Sequence, residues 1–452
     1  MLLIRGAAGT LRVEYGMTIA RHRRRAALAG LVSAATAVTI ALAGCGTDAS
    51  GSSAGTSTTI TIWEGYQATE GKVFAHLISE YEAQHPGQKV QTLYVNSDDA
   101  LQKVLTAVKG GSPPDIAYLY GSWAPNVAEI PQVVNLAQLV KEPAVNWNDF
   151  WTGERDVATV GSKVIGIPAL VDNLAVVYNK KLFEKAGLPL PTANWTWQEF
   201  EADAQKLTDA SAKQYGTAYV TPANEDTVWH WEALLWEAGG QLLTPDNKKA
   251  AFDSAVGLAS LNTLRTMAVT DKSMYLDPTD STYANLFNSG KIGMLVTGPW
   301  DLANFPNVDY GVQVMPSYPG STAGHQTISG PDNWVIFDNG SAQVSAAEQF
   351  LVWLSAPAQV KYFSVQTGNL PIRQSVANAA GFDQQMDKVQ PEISTFVSNL
   401  GNVKQARPQI PQYPQISTIL STMVVSVLLG KSQPQAALDA ASQQVNQVLA
   451  GS

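Results

Sequence analysis

The order of elements predicts an α/β fold built on a parallel sheet. Three observations carry this: short β-branched runs, helical stretches with apolar residues spaced for one buried face, and strict alternation of the two over residues 58–120. Thr58-Thr59-Ile60-Thr61-Ile62-Trp63 is the first strand. Phe74, Leu77, Ile78 and Tyr81 recur at i, i+3, i+4 and i+7, an amphipathic helix stopped by Pro86-Gly87. Residues 89–95 form a second strand. Ser97 or Asp98 is placed to cap a second helix, with Leu101, Val104, Leu105 and Val108 on one face and Gly110 at its end. Residues 115–120 form a third strand. Crossovers of this length are right-handed and give parallel pairing.

Ligands of such sheets bind beyond the carboxyl ends of the strands. That places Glu64, Gly65, Tyr66 and Gln67 after the first strand, and Tyr120, Ser122 and Trp123 after the third, at a candidate site. Further on, residues 174–178 form a strand, Asn179 caps the next helix and Gly187 closes it. Residues 215–250 read as helical and tryptophan-rich. Strands are expected at 291–296, leading into Gly298-Pro299-Trp300-Asp301, and at 334–337, preceded by Gly330-Pro331-Asp332-Asn333. Residues 408–430 carry no charge. Their apolar stripe at Ile416, Ile419, Leu420, Met423, Val424 and Val427, with Ser417, Ser421 and Ser426 on other faces, predicts a core helix ended by Gly430. Residues 432–449 form a last helix. The chain of 452 residues is long enough for two or three domains.

Composition narrows the function. A net charge of -9 makes nucleic acid or an anionic membrane surface a poor partner. One cysteine excludes a disulfide framework, a Cys-based zinc site and an iron–sulfur cluster, and five scattered histidines argue against a metal site. No metal and no cofactor are expected. Gly51-Ser52-Ser53-Ala54-Gly55 matches a serine-hydrolase pattern formally, but it lies in low-complexity sequence without a flanking strand and helix.

The first 44 residues read as a secretory signal peptide: the basic residues Arg21, Arg23, Arg24 and Arg25, then an uncharged stretch of small and apolar residues. It ends Leu42-Ala43-Gly44-Cys45, which resembles the bacterial lipoprotein lipobox and implies cleavage before Cys45 and lipid attachment to its thiol. Translation from Met17 instead of Met1 would give a signal of ordinary proportions. Cleavage changes 29 basic against 38 acidic residues into 23 against 37. Residues 45–57 form a flexible tether.

Twelve tryptophans are present. Trp123, Trp229, Trp300 and Trp334 sit beside Ser122, His230, Asp301 and Asn333. A flat indole takes the C–H face of a sugar while planar polar groups take its hydroxyls. The same aromatic grouping suits a quaternary ammonium, and composition does not separate the two.

The sequence resembles the extracellular solute-binding proteins of ABC importers, in the sugar-binding family that includes maltose-binding protein. The matching pieces are Ile62-Trp63-Glu64-Gly65, Pro114-Asp115-Ile116, Gly166-Ile167-Pro168 through Asp172-Asn173-Leu174 to Tyr178-Asn179-Lys180, and Gly239-Gly240. They continue with Gly290-Lys291-Ile292-Gly293-Met294, Gly298-Pro299-Trp300, Tyr310-Gly311-Val312, Gly368-Asn369-Leu370-Pro371 and Arg407-Pro408. The resemblance implies a two-lobe type II periplasmic-binding-protein fold, with the ligand in a cleft and three hinge crossings near 168–172, 316–324 and 370–374. Lobe 1 is then 58–170 and 325–370; lobe 2 is 172–316 and 375–452.

By the same resemblance Asp172 and Asn173 bind hydroxyls, Trp229 and Trp300 stack, and the Gly330–Trp334 loop (Gly330, Asp332, Asn333, Trp334) reaches the cleft. Arg373 and Arg407 are further hydroxyl or anion partners. The implied function is a monomeric, lipid-anchored receptor on the outer face of the cytoplasmic membrane, which binds a di- or oligosaccharide and hands it to ABC permease subunits. A receptor for a glycerophosphodiester or choline-type ligand is the alternative. A glycoside hydrolase is a lesser one: Glu64, Asp172, Asp301 and Asp332 offer carboxylates, but no hydrolase motif accompanies them.

Overall fold

The computed structural model describes residues 58–320 and 324–451. The signal peptide, Cys45 and the tether lie outside the described residues. The N-terminal alternation folds as its pattern dictates. Strand β1 (Thr58–Glu64) leads to helix α1 (Ala68–Gln84), β2 (Gln88–Tyr94), helix α2 (Ala100–Lys109) and β3 (Ile116–Tyr120). β1 pairs in parallel with both β2 and β3. Val73, Phe74, Leu77 and Tyr81 are the buried face of α1.

β4 (Ile167–Leu170) is the far edge of this sheet. β5 (Ala175–Asn179) opens a second sheet after four residues, and Asn179 caps the following helix by accepting from Leu182 N at 3.2 Å. β6 (Thr217–Val220) precedes helix α3 (Glu225–Glu237). β7 (Met274–Asp277), β8 (Met294–Thr297), β9 (Tyr310–Gln313) and β10 (Asp332–Ile336) complete the strands discussed. The five-stranded sheet runs β2-β1-β3-β10-β4, with β10 antiparallel to both neighbours. The second sheet, β8-β5-β9, is wholly antiparallel, and β6 and β7 form a parallel pair. The expected parallel pairing therefore holds for the first three strands and recurs in the β6–β7 pair, while β10 enters the first sheet, and β8 and β9 flank β5, in the opposite direction.

The two sheets are the centres of two lobes. The connecting segments are stitched side by side: Val171 bridges Leu370, and Asn173 bridges Ser329. The Thr327 hydroxyl donates to Leu174 O at 2.7 Å, and Asn173 donates from Nδ2 to Phe396 O at 2.9 Å. One apolar core runs from Ile62, Phe74 and Trp334 under the first sheet to Val177, Leu295 and Val312 of the second. Helix α4 (Tyr413–Leu428) is the uncharged helix. Ile416, Leu420, Met423, Val424 and Val427 are buried as its stripe demands. Ser417 and Ser421 are buried too, against the expectation that they face away. Ser417 donates to the buried Glu225 carboxylate, so an internal acid stands where solvent was expected. Among the described residues no helix is long and apolar enough to cross a membrane.

Candidate functional site

A cavity of about 520 Å³ lies between the lobes, within the range of small-molecule sites. One wall comes from the loop after β1. Gly65, Tyr66 and Gln67 line it. Glu64 does not; its carboxylate turns back to accept from Tyr66 N at 2.7 Å, which pins the loop. Tyr120, at the end of β3, also lines it.

The opposite wall begins at the N-terminus of α3. The Asn224 side chain accepts from Thr227 N at 3.3 Å, and Glu225 and Asp226 occupy the first turn, where the helix dipole favours acids. Trp229 follows Asp226 at i+3, so the two share a face. Its ring centroid is 5.9 Å from that of Trp300, tilted by 38°. Trp300 is held by the close approach of its ring to Gly298. A Cβ at that position would come within 1.8 Å of the indole, so only glycine admits this placement. Asp301 accepts from Thr297 Oγ1 at 2.7 Å and from Tyr283 Oη at 3.0 Å.

The base of the cleft carries Asp172, Gly330, Asp332 and Arg407. Asp172 Oδ1 accepts from Gly330 N at 2.9 Å, and a Cβ on Gly330 would lie 2.6 Å from that oxygen. Asp332 accepts from the Tyr118 hydroxyl and from Gly121 N. Arg407 donates to Glu225 at 2.9 Å, both side chains being 5% exposed, so its charge is already matched.

The lining is strongly acidic: Glu70, Asp98, Asp172, Glu225, Asp226, Asp280, Asp301 and Asp332 all contribute, with Arg407 the only base among the described lining residues. Burial raises the pKa values of several of these carboxyls. Glu70 and Asp332 rise to about 7, and Asp280 to about 10 with further help from the charges of Asp226 and Asp98. An acid whose pKa is raised by folding binds its proton more tightly in the native state. Its stabilisation is present below the unfolded pKa and is lost as pH rises through the folded one. The empty protein is therefore expected to melt at a higher temperature at pH 5 than at pH 8; the reverse order in calorimetry would contradict these burials.

Asp98 links the walls. It projects from the loop after β2, and its Oδ2 accepts from Asn224 Nδ2 at 2.6 Å across the cleft. Its Oδ1 accepts from Asp226 N and Tyr120 Oη, each at 3.3 Å. The bonds to Asn224 and Asp226 exist only while the lobes are together, whereas the one to Tyr120 stays within the first lobe. Asp98→Ala is expected to shift the empty protein toward an open form, visible as a larger radius of gyration in small-angle scattering, and to weaken ligand binding about tenfold. An unchanged radius and affinity would remove Asp98 from lobe closure.

A sequence profile for bacterial extracellular solute-binding proteins matches residues 65–361. The chain belongs to this family. Its folded form agrees with solved members. The cyclic α-maltosyl-1,6-maltose binding protein of Arthrobacter globiformis is 27% identical, with 87% of this chain and 100% of that one covered and a TM-score of 0.69. A solute-binding protein of Thermotoga lettingae, bound to α-D-tagatose, is 28% identical over 87% and 100%, with a TM-score of 0.76. The sn-glycerol-3-phosphate-binding periplasmic protein UgpB of Escherichia coli is 23% identical over 415 residues, 87% of this chain and 92% of that one. These are substrate-binding transport proteins of the type II periplasmic-binding-protein fold.

Several expected contacts of this solute-binding protein lie elsewhere. Trp334 is in the core, stacked on Phe74 at 5.6 Å and 11°, because the β10 register places it opposite Tyr118. Asn333 faces the other side of that strand and donates weakly to Val157 O at 3.5 Å. Trp123 is buried with its ring 4.6 Å from Tyr120, and Ser122 is buried beside it. Asn173 spends its amide on the hinge, also accepting from Asn399 Nδ2 at 2.8 Å. Arg373 is 1% exposed; it pairs with Asp149 at 3.3 Å and lies over the Phe150 ring at 4.1 Å. Gly65, Tyr66, Gln67, Tyr120, Asp172, Trp229, Trp300, Asp301, Gly330, Asp332 and Arg407 do line the cleft. Sequence reasoning missed Glu70, Asp226, Asp280 and Tyr283, and gave Asp98 only a helix-capping role. The available signal was the acidic pair Glu225-Asp226 one turn before Trp229.

Proposed function

We propose that this solute-binding protein captures a carbohydrate of di- or oligosaccharide size and delivers it to an ABC permease, held at the outer face of the membrane by a lipid on Cys45. Binding occurs without turnover of the ligand. The observation that carries the sugar reading is the Trp229–Trp300 pair beside a dense set of carboxylates. The indoles offer flat apolar faces and the carboxylates accept hydroxyl donors in pairs. Closure by contacts such as those of Asp98 would present one shape to the permease when the ligand is bound.

A glycerophosphodiester fits this cleft less well. A phosphate is favoured by free arginine, lysine or a helix N-terminus facing it. Here Arg407 is matched to Glu225, and Glu225 and Asp226 occupy the N-terminal turn of α3. The test is a thermal-shift screen of the protein from residue 58 with neutral sugars, polyols, glycerophosphodiesters and betaines. Saturation at about 100 times Kd stabilises by about 2.7 kcal/mol. Sugars are expected to raise Tm. A rise with phosphodiesters alone would overturn the carbohydrate.

A further inference from the structure

Three of the cleft carboxylates converge from both lobes beside the tryptophan pair. Asp98 comes from lobe 1; Asp226 and Asp280 come from lobe 2. Asp98 Oδ1 lies 3.3 Å from Asp226 N, and Asp280 lines the same cavity as both. Each partner of Asp98 is neutral: an amide side chain, a backbone N–H and a tyrosine hydroxyl. Asp226 faces His230 Nδ1 at 3.4 Å, which offsets one charge when protonated. Asp280 accepts no hydrogen bond among the described residues. Arg407, the one lining base, is committed to Glu225. No group of acids, histidines and cysteines among the described residues is arranged to hold a metal ion.

A second, independent feature lies in the same cavity. Trp229 is 6% exposed, and its indole N–H has no hydrogen-bond partner among the described residues. A buried donor left unpaired costs free energy that a ligand oxygen would recover. The cleft therefore asks for two things from one molecule: a cation for the carboxylates and an oxygen acceptor for Trp229.

We propose that the solute is an amino sugar, with a protonated amine seated against Asp98, Asp226 and Asp280 and its ring on the Trp229–Trp300 pair. This rests on the carbohydrate reading and narrows it. A hydroxyl has one proton to donate and serves at most one of the three carboxyls. An ammonium supplies three donors and a full charge, and the adjacent indole faces also attract it.

The experiment is titration calorimetry with the protein from residue 58, using amino sugars bearing the amine at each ring position, as mono- and disaccharides. Each is compared with its hydroxyl and its N-acetyl counterpart, and choline is the cation without a ring. The inference expects one amine to bind about tenfold or more tighter than both counterparts. Asp280→Asn is expected to reduce that ratio to near one. Asparagine tolerates the backbone φ of 55° at this position and keeps the side-chain shape, so the variant should fold. Equal binding of amine and hydroxyl forms, or preference for the neutral one, overturns the amine and leaves the sugar standing. Binding of choline with no sugar overturns both, and failure of every amino sugar overturns the inference directly. A parent preference that survives Asp280→Asn removes the carboxylate cluster as its source.

Discussion

Trp300→Ala is expected to weaken binding of the transported solute about 30-fold or more, with little change in the melting temperature of the empty protein. The indole is only partly buried, lies against Trp229 and folds over Gly298, so few core contacts depend on it. Its loss removes an aromatic anchor of the kind that contributes about 2 kcal/mol or more to recognition. Trp334→Ala supplies the contrast. That ring is 3% exposed and stacked on Phe74, so truncation should cost about 3–5 kcal/mol of stability. Calorimetry and chemical denaturation on both variants separate the two roles. A Trp300→Ala protein that binds as tightly as the parent would take Trp300 out of the site and with it the main support for a sugar.

The two tryptophans also mark how far the sequence could be read. Local patterns were enough for β1 to β3, for the Asn179 cap and for the stripe of α4, because each depends on neighbours within a few residues. Whether a tryptophan after a loop faces the cleft depends on register instead. Trp334 looked like Trp300 in its surroundings, yet the antiparallel pairing of β10 with β3 turns it inward. Asp98 shows the same limit in another form. A Ser-Asp pair before a helix suggests a cap, but Ser97 and Asp98 lie in a short 3-10 turn ahead of α2 that Asn96 caps by accepting from Asp98 N at 3.0 Å, and no side chain caps α2 itself. The Asp98 side chain is thereby left for partners 126 and 128 residues away. Arg373 and Arg407 were indistinguishable as isolated cations; only the fold sets one over Phe150 and the other at the cleft.

The internal position of Arg407 makes it the second point of large expected effect. Glu225 Oε1 accepts from Arg407 Nη1 and from Tyr413 Oη, both at 2.9 Å, while its other oxygen accepts from Ser417. Tyr413 Oη is also 3.1 Å from Glu232 Oε1. A hydroxyl has one proton, so it cannot donate to both acids together. Burial and the charge of Glu225 raise Glu232 to about 8. At pH 7 Glu232 therefore keeps its proton and can donate to Tyr413, which donates to Glu225. Arg407→Leu would leave Glu225 as a buried charge with only neutral donors, and is expected to cost about 3–5 kcal/mol in denaturant unfolding at pH 7.5. The double variant Arg407→Leu, Glu225→Leu should recover most of the loss, because no uncompensated charge remains. Full stability in Arg407→Leu alone would mean that the hydrogen bonds of Tyr413 and Ser417 suffice to hold α4 to Glu225 and that the ion pair adds nothing.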